Sequence, residues 1–400
     1  MSTNALTDGM DSPSSSEAAE TGSYSSVNIY PIPVKDGIEK CDFIAYVGSN
    51  TGVFKGVEFK KDVGPKCRNI LGPSQMSDIT AMSWGDTEEC DVLIALKNST
   101  VRVFDSKYRR NFVKCLPTDH TQGPIRSISR YNNIILAAFE SGVVKNMKSE
   151  AGGQVVLKTD RHLWRMRHSE VNGDLIATGG RESNMKLWDL PTQTLLFEAR
   201  NVRSDELELR VPVFVSDLCF IPGTHMIATC SKHGYVNVYD TRSQHRRPVL
   251  NTIIAGQAFT CIAAAPKDRH VVVGSGQGCM YLLDMRWPNK SSSRFKGFHG
   301  GVSAIACHGS EPYVMSTSID HGLRVHNLDT TALVHKVVTP GPLNFLLLRS
   351  DFSFEEDPPS DENEDNDDIM VLEHDRLFNN METITESTFK KMKYSVSNTT

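Results

Sequence analysis

The sequence predicts an all-β protein built from one repeated four-stranded unit. Apolar and polar residues alternate over short stretches, which is the period of a β-strand. The clearest unit, "DLIATGGRESNMKLWDL" at 174–190, joins an apolar strand, a turn with glycines and a second strand that ends in Trp188-Asp189. A related unit ends in Tyr239-Asp240. A Trp-Asp ending of this kind is typical of WD repeats.

Seven such units follow one another along the chain. The residues at the Trp position are Val57, Phe104, Met147, Trp188, Tyr239, Leu283 and His326. Their successive spacings are 47, 43, 41, 51, 44 and 43 residues, close to the ~40–45 residues of a propeller blade. The count predicts a seven-bladed WD-repeat β-propeller over residues 27–350, a single domain despite its length.

The same count predicts how the ring closes. The first unit begins near Phe43 with what looks like the second strand of a blade, so it lacks a first strand. The apolar segment "PLNFLLLRS" at 342–350 follows the seventh unit and has no unit of its own. We expect it to join the first blade and remove an open sheet edge. The segment "SVNIYPI" at 26–32 is the alternative closing strand.

Both ends of the chain are acidic and the middle is basic. Residues 1–26 hold four acidic and no basic residues, and residues 351–400 hold fourteen acidic and four basic ones. Segment 27–350 has 39 Lys and Arg against 30 Asp and Glu. We expect a disordered Ser-rich extension over 1–26 and a mostly disordered tail over 351–400, with a short helix forming at 369–378 on binding. A basic body suits RNA or acidic protein partners.

Compartment signals point to a reduced, membrane-free setting. No run approaches the ~18 apolar residues of a membrane helix, and the N-terminus lacks the basic start and apolar core of a signal peptide. The nine cysteines include no C-x-x-C pair, which favours reduced thiols in the cytosol or nucleus.

Candidate enzyme chemistry is better explained as structure. His299, Ser316 and Asp320 could form a hydrolase triad, but no G-x-S-x-G elbow accompanies them. In WD repeats a His, a Ser or Thr, and an Asp at these places usually tie a blade together by hydrogen bonds. "GSGQG" at 274–278 lacks the Lys-Ser/Thr of a phosphate loop. His225, Cys230 and His233 lack a fourth metal ligand. The sequence predicts no catalytic site, cofactor or metal.

Arginine is concentrated between residues 161 and 247. Alternation in "RHLWRMRH" at 161–168 places Arg165 and Arg167 on one face of a strand, with Trp164 and Met166 on the other. Arg181 lies in the next turn, and Arg246 and Arg247 lie in "HRRPVL". Arg favours bidentate contacts to phosphate or carboxylate.

The 51-residue spacing comes from a charged insertion, "EARNVRSDELELR", which precedes the "VPVF" that starts the next blade. It contains Asn201, Arg203, Asp205 and Arg210. Two roles stay open at this point. The insertion could bind a partner, or Asp205, Glu206 and Glu208 could neutralise the arginines and fix the loop.

These stretches resemble one family. "RMRHSEVNGDLIATGGRESNMKLWDL", "FEARNVRSDELELRVPVF" and "HRRPVL" are similar to the WD repeat-containing protein 74 family, known in yeast as the Nop-seven-associated WD-repeat factor. The resemblance extends over about residues 43–350. It implies a propeller that acts as a nucleolar assembly factor of the large ribosomal subunit and in rRNA processing.

The resemblance also implies partners and interface residues. Members are bound to pre-60S particles beside other assembly factors and rRNA, are released by a AAA-type ATPase, and have links to the nuclear exosome helicase. We therefore expect a monomer within a larger particle. The positions that match the family stretches are Arg165, Arg167, Arg181, Asn201, Arg203, Asp205, Arg210, Arg246 and Arg247. The dense basic tail of animal members is reduced here to Lys390, Lys391 and Lys393, so the route of nuclear import stays open. The alternative function is a generic WD-repeat adaptor, such as a ubiquitin-ligase substrate receptor or a chromatin-associated platform.

Overall fold

A computed structural model describes residues 43–351, apart from gaps at 61–63, 73–76, 107–109, 118–121, 133, 148–153, 205–206 and 288–292. Every named element in this part of the chain is a β-strand, and none of its segments is a helix that could span a membrane. The 1–26 extension, the 26–32 alternative, the 369–378 helix and the acidic tail beyond Asp351 lie outside the described residues.

The strands form seven four-stranded antiparallel sheets, the blades, which confirms the predicted fold class. Blade 1 contains β1 (Phe43–Gly48), β2 (Phe54–Lys60) and β3 (Gly64–Leu71). Blade 2 contains β4 (Ile79–Trp84), β5 (Asp91–Leu96), β6 (Thr100–Asp105) and β7 (Arg110–Pro117). Blade 3 contains β8 (Ile125–Tyr131), β9 (Ile134–Phe139), β10 (Val143–Met147) and β11 (Gln154–Lys158). Blade 4 contains β12 (Leu163–His168), β13 (Leu175–Gly180), β14 (Lys186–Asp189) and β15 (Thr194–Glu198).

The remaining strands complete the ring. Blade 5 contains β16 (Val215–Phe220), β17 (Met226–Ser231), β18 (Tyr235–Asp240) and β19 (Leu250–Ile253). Blade 6 contains β20 (Phe259–Ala264), β21 (His270–Ser275), β22 (Met280–Asp284) and β23 (Ser293–Phe295). Blade 7 contains β24 (Val302–Cys307), β25 (Tyr313–Ser318), β26 (Gly322–Asn327) and β27 (Leu333–Val338). The last strand is β28 (Phe345–Leu348). All seven residues at the Trp position lie on the third strand of a blade.

Closure follows the sequence prediction. β28 pairs antiparallel with β1, with Ala45 opposite Leu348 and Gly48 opposite Phe345, so the C-terminal segment supplies the missing first strand of blade 1. The first strands of successive blades contact one another around the ring, and β28 contacts both β24 and β4. The sheet edge that the first unit would leave open is therefore covered.

The core lies between the blades. Between blades 1 and 2, the Phe54 and Phe104 rings meet edge to face with centroids 5.2 Å apart, and Tyr46 packs against both. Such aromatic pairs add stability beyond the area that they bury. Alternation of side chains along each strand makes this possible, because one set of residues faces each neighbouring blade.

The repeat positions are structural, with two changes from the prediction: a different serine bonds to Asp320, and His299 does so through its backbone N–H. The Trp188 Nε1–H donates to Thr178 Oγ1 at 2.9 Å, Tyr239 is buried, and the Asp189 and Asp240 carboxylates accept backbone N–H groups of their own turns. In blade 7, Asp320 accepts the backbone N–H of His299 at 3.0 Å.

The hydroxyl that bonds to Asp320 belongs to Ser318, whereas the sequence assigned it to Ser316. Ser316 and Ser318 lie on the same side of β25, but only Ser318 reaches the turn that holds Asp320. The Ser316 Oγ is buried and has no hydrogen-bond partner among the described residues. The buried Arg324 completes the network, with Nη2 2.6 Å from Asp320 Oδ2.

Candidate functional site

Three of the arginine-rich stretches lie at one end of blades 4 and 5, and the loop with "HRRPVL" is hydrogen-bonded to one of them. Because each blade is antiparallel, the turn between its second and third strands lies at the same end as the connection to the next blade. We call this end the upper face. The sequence predicts that "VPVF" starts blade 5, but β16 begins only at Val215, so the insertion that connects β15 to β16 covers residues 199–214. This connection lies on the upper face, as does Arg181 in the β13–β14 turn.

The base of the insertion is fixed by hydrogen bonds. The Asn201 side chain donates to the carbonyl of Val211 at 2.6 Å and accepts the N–H of Val202 at 2.9 Å. The N–H of Arg200 donates to the carbonyl of Arg246 at 2.7 Å, which joins the insertion to the "HRRPVL" loop. The N–H of Glu182 donates to the carbonyl of Val213 at 3.0 Å. Three stretches that are distant in sequence are therefore held together.

Two of the candidate arginines are held by an internal acid. Arg165 Nε lies 3.1 Å from Asp217 Oδ1, and Arg167 Nη2 lies 2.9 Å from Asp217 Oδ2. The Asp217 side chain is only 1% exposed. Burial alone would raise its pKa, but the two guanidinium groups and the hydrogen bonds outweigh that effect and hold the pKa of Asp217 below its usual value. Arg165 and Arg167 therefore connect blade 4 to blade 5.

Among the described residues, the acid that neutralises Arg165 and Arg167 is Asp217. Asp205 and Glu206 lie outside the described residues, and Glu208 has no ion pair among the residues that the structure describes. Alternation correctly placed Arg165 and Arg167 on one face. It could not identify Asp217, which is about 50 residues further along the chain and becomes a neighbour only when the blades pack.

The other candidate arginines are exposed. Arg246 lies 3.9 Å from Glu198. Within the described part of the chain, no ion pair is formed by Arg181, Arg203, Arg210 or Arg247. Beside them, Leu207 and Leu209 are 77% and 60% exposed. A loop that is anchored at its base and presents exposed arginines has a feature that is typical of binding surfaces.

A cluster of aromatic and basic side chains lies on the same face and was missed by the sequence reasoning. The Trp164 and Phe214 rings meet edge to face with centroids 5.4 Å apart. The Arg126 guanidinium lies 4.3 Å from the centre of the Trp164 ring. The Lys232 ammonium lies 4.5 Å from Trp164 and 4.6 Å from Phe214. We call these four residues the aromatic–basic cluster.

Trp164 belongs to this cluster because β12 contains a bulge. Leu163 pairs with Gly180 and Arg165 with Gly179, so Trp164 is an extra residue without a partner on β13. A bulge breaks the alternation of side chains. The expectation that Trp164 shares a face with Met166 is therefore wrong, since Met166 is buried between blades 3 and 4 while Trp164 turns towards Phe214.

Lys232 is positioned by a tight turn. The turn between β17 and β18 is closed by the N–H of Gly234, which donates to the carbonyl of Ser231 at 3.2 Å. Gly234 has φ +83°, and a Cβ there would lie 2.6 Å from the carbonyl oxygen of Ile254, so only glycine fits. Burial, and then the nearby Arg126 charge, lower the pKa of Lys232.

Comparison with known proteins agrees with this architecture. A family model described as WD domain, G-beta repeat matches residues 210–240, which include the end of the insertion and the first three strands of blade 5. The crystal structure of the computationally designed Ika8 protein superimposes with a TM-score of 0.54 at 16% identity, covering 77% of this chain and 91% of that one. The likeness to Ika8 concerns the fold alone. Fold and repeat together define a WD-repeat propeller.

Relatives at the sequence level identify the family. WD repeat-containing protein 74 of Bos taurus is 30% identical over 320 residues, which cover 78% of this chain and 83% of the relative. The Homo sapiens protein of the same name is 29% identical, with 84% and 89% covered. The chain belongs to the WD repeat-containing protein 74 family. The ribosome biogenesis protein nsa1 of Schizosaccharomyces pombe is 21% identical, with 86% and 97% covered.

Proposed function

We propose that this protein is a non-catalytic assembly factor of the large ribosomal subunit that is bound to pre-60S particles and contributes to rRNA processing in the nucleolus. The observation that carries the proposal is the match along 97% of a relative named as a ribosome biogenesis protein. Release by a AAA-type ATPase and contact with the nuclear exosome helicase belong to the same proposal, through the family.

A binding role also agrees with the chemistry of the described residues. Burial raises the pKa of the Cys261 and Cys307 thiols to about 12, so both stay protonated near neutral pH and are poor nucleophiles. The arginines of the insertion, in contrast, are exposed and accessible to a partner, which supports a surface that binds partners.

The insertion offers a direct test of this role. We expect Arg203→Glu with Arg210→Glu to weaken association with pre-60S particles by at least about tenfold, because charge-assisted contacts to phosphate or carboxylate become repulsive. Co-sedimentation of the tagged protein with pre-60S particles on sucrose gradients measures this loss.

A matched control reverses two charges elsewhere. Lys267 and Arg286 lie on loops at the opposite end of the blades, paired with Asp329 and Asp284, and Lys267→Glu with Arg286→Glu should leave association unchanged. Circular dichroism must show that both double variants are folded. Normal levels of large-subunit rRNA precursors after depletion of the protein, together with its absence from pre-60S fractions, would refute the proposal and favour a generic adaptor.

A further inference from the structure

The first strands of the blades contain the same bulge at the same place. In blades 2 to 7 the register shifts around the second residue of the first strand. The residues at this position are Thr80, Arg126, Trp164, Ser216, Thr260 and Ser303. Because the six sites share one backbone geometry, they can be compared directly within one chain.

In four of the six blades the bulge residue has a structural role. Thr80 and Ser216 each donate a hydroxyl hydrogen bond to a carbonyl of the adjacent second strand, at 3.3 and 3.1 Å. The Thr260 hydroxyl lies 2.6 Å from the carbonyl of Val302 in blade 7 and 3.1 Å from a carbonyl of its own second strand. Ser303 donates its hydroxyl to the carbonyl of Leu343. A small hydroxyl residue therefore satisfies the bulge, and the fold does not require a large or charged one there.

Blades 3 and 4 depart from this rule at adjacent positions. Arg126 and Trp164 replace the small residues and meet each other, and they join Phe214 and Lys232 in the aromatic–basic cluster. The cluster lies where the first strands begin, at the upper mouth of the ring, beside the exposed Arg181. The two rings are half-buried, and the Arg126 side chain is 29% exposed, so a ligand can reach them.

The cluster retains positive charge after internal pairing. Glu140 contacts Arg126 through Nη2 at 2.8 Å, and no described acid forms an ion pair with Lys232 or Arg181. Two cations held about the faces of aromatic rings match the pairing of charge and stacking surface by which proteins bind single-stranded nucleic acids. An acidic peptide would contact the cations, but it has no bases that could stack on the rings.

We propose that the aromatic–basic cluster binds a single-stranded RNA segment, with phosphates at Arg126 and Lys232 and bases against the exposed parts of Trp164, Phe214 and the Arg126 guanidinium. This inference rests on the proposed function and names the chemistry of its partner. RNA bases stack on arginine planes as well as on aromatic rings, which suits a guanidinium that already covers one ring.

The test uses the purified full chain and a fluorescein-labelled oligouridine of about 20 nucleotides, followed by fluorescence anisotropy over a range of salt concentrations. Arg126→Gln with Lys232→Gln should weaken binding between about 5-fold and 25-fold at about 0.1 M salt, because each single-strand phosphate contact contributes about fivefold there and Arg126 already shares its charge with Glu140. The slope of log affinity against log salt should become shallower by about 0.7 to 1.4.

A second variant separates stacking from charge. Trp164→Leu removes the ring and keeps every charge, so affinity should fall at least about fivefold while the salt slope stays the same. The control Lys267→Gln with Arg286→Gln removes two charges at the opposite end of the blades and should change neither quantity by a comparable amount. Thermal melting must show that each variant is folded.

The outcomes are distinct. Equal RNA affinity of the folded wild type, the Arg126/Lys232 variant and Trp164→Leu would overturn the inference, and so would tighter binding of a polyglutamate peptide than of RNA at the cluster. Co-sedimentation with pre-60S particles is measured separately for the same variants. If the wild-type protein enters the particles and binds no RNA, only this inference is refuted. If it binds RNA and does not enter the particles, the proposed function is refuted.

Discussion

Asp217 shows how one residue can join several blades. Its carboxylate contacts Arg165 and Arg167 of blade 4 and accepts the N–H of Ile262 in blade 6 at 3.4 Å. We expect Asp217→Asn to lower the free energy of unfolding by about 3 kcal/mol, since two arginines lose their buried counter-charge. This is the lower end of the usual range, because the Arg167 side chain is 44% exposed. Urea denaturation followed by circular dichroism measures the change.

The pH dependence of this effect has a definite sign. The pKa of Asp217 is lower in the folded protein than its ordinary value of 3.8, so its stabilisation is complete above pH 3.8 and is lost as pH falls towards the folded pKa. The difference between wild type and Asp217→Asn should therefore be constant from about pH 5 to 7 and should shrink below 3.8. As a control, Asp329→Asn removes an exposed ion pair and should change stability by less than about 1 kcal/mol at every pH. A difference that grows in acid would contradict the role assigned to Asp217.

The insertion is held at its base by one side chain, that of Asn201. Asn201 closes it by donating to the carbonyl of Val211. We expect Asn201→Ala to increase the rate of tryptic cleavage at Arg203 and Arg210 several-fold and to leave the melting temperature almost unchanged, because local opening exposes the loop without opening the blades. Limited proteolysis with mass spectrometry identifies the cleaved bonds.

The Asn201→Asp variant isolates the donor. It keeps the oxygen that accepts the N–H of Val202 and loses the N–H₂ group that reaches Val211, so it should be cleaved as readily as Asn201→Ala. Cleavage at the wild-type rate in both variants would show that the contacts with Arg246 and Glu182 are sufficient to hold the loop.

This insertion could be located from the sequence, since it accounts for the longest spacing between blades. Its anchoring could not be predicted, because its partners are backbone groups of two other loops.

At the scale of the whole molecule, the period of the repeats predicted more of the structure than the chemistry of individual side chains did. Seven units and the missing first strand predicted the blades and the closing segment, since each unit must bury both faces and cover its edges. The aromatic–basic cluster was not predicted, because strict alternation hides a bulge. Comparison of "ITAMSW", "IRSISRY", "LWRMRH", "VSDLCF", "FTCIAA" and "VSAIAC" would have revealed it, as their second residues contain two large exceptions among small hydroxyl residues.

Two truncations test closure of the ring at the scale of the whole molecule. Removal of residues 352–400 leaves every described strand in place, because the last of them ends at Leu348. The melting temperature should therefore change by less than about 2 °C.

Removal of residues 343–400 also deletes β28, which buries Leu346 and Leu348 and pairs with β1. Loss of those side chains and of the edge pairing should cost at least about 5 kcal/mol and lower the melting temperature by about 8 °C or more. Differential scanning calorimetry of the two chains gives the comparison. Equal melting temperatures would show that another segment can close blade 1, and a large drop on removal of 352–400 alone would show that the acidic tail stabilises the propeller.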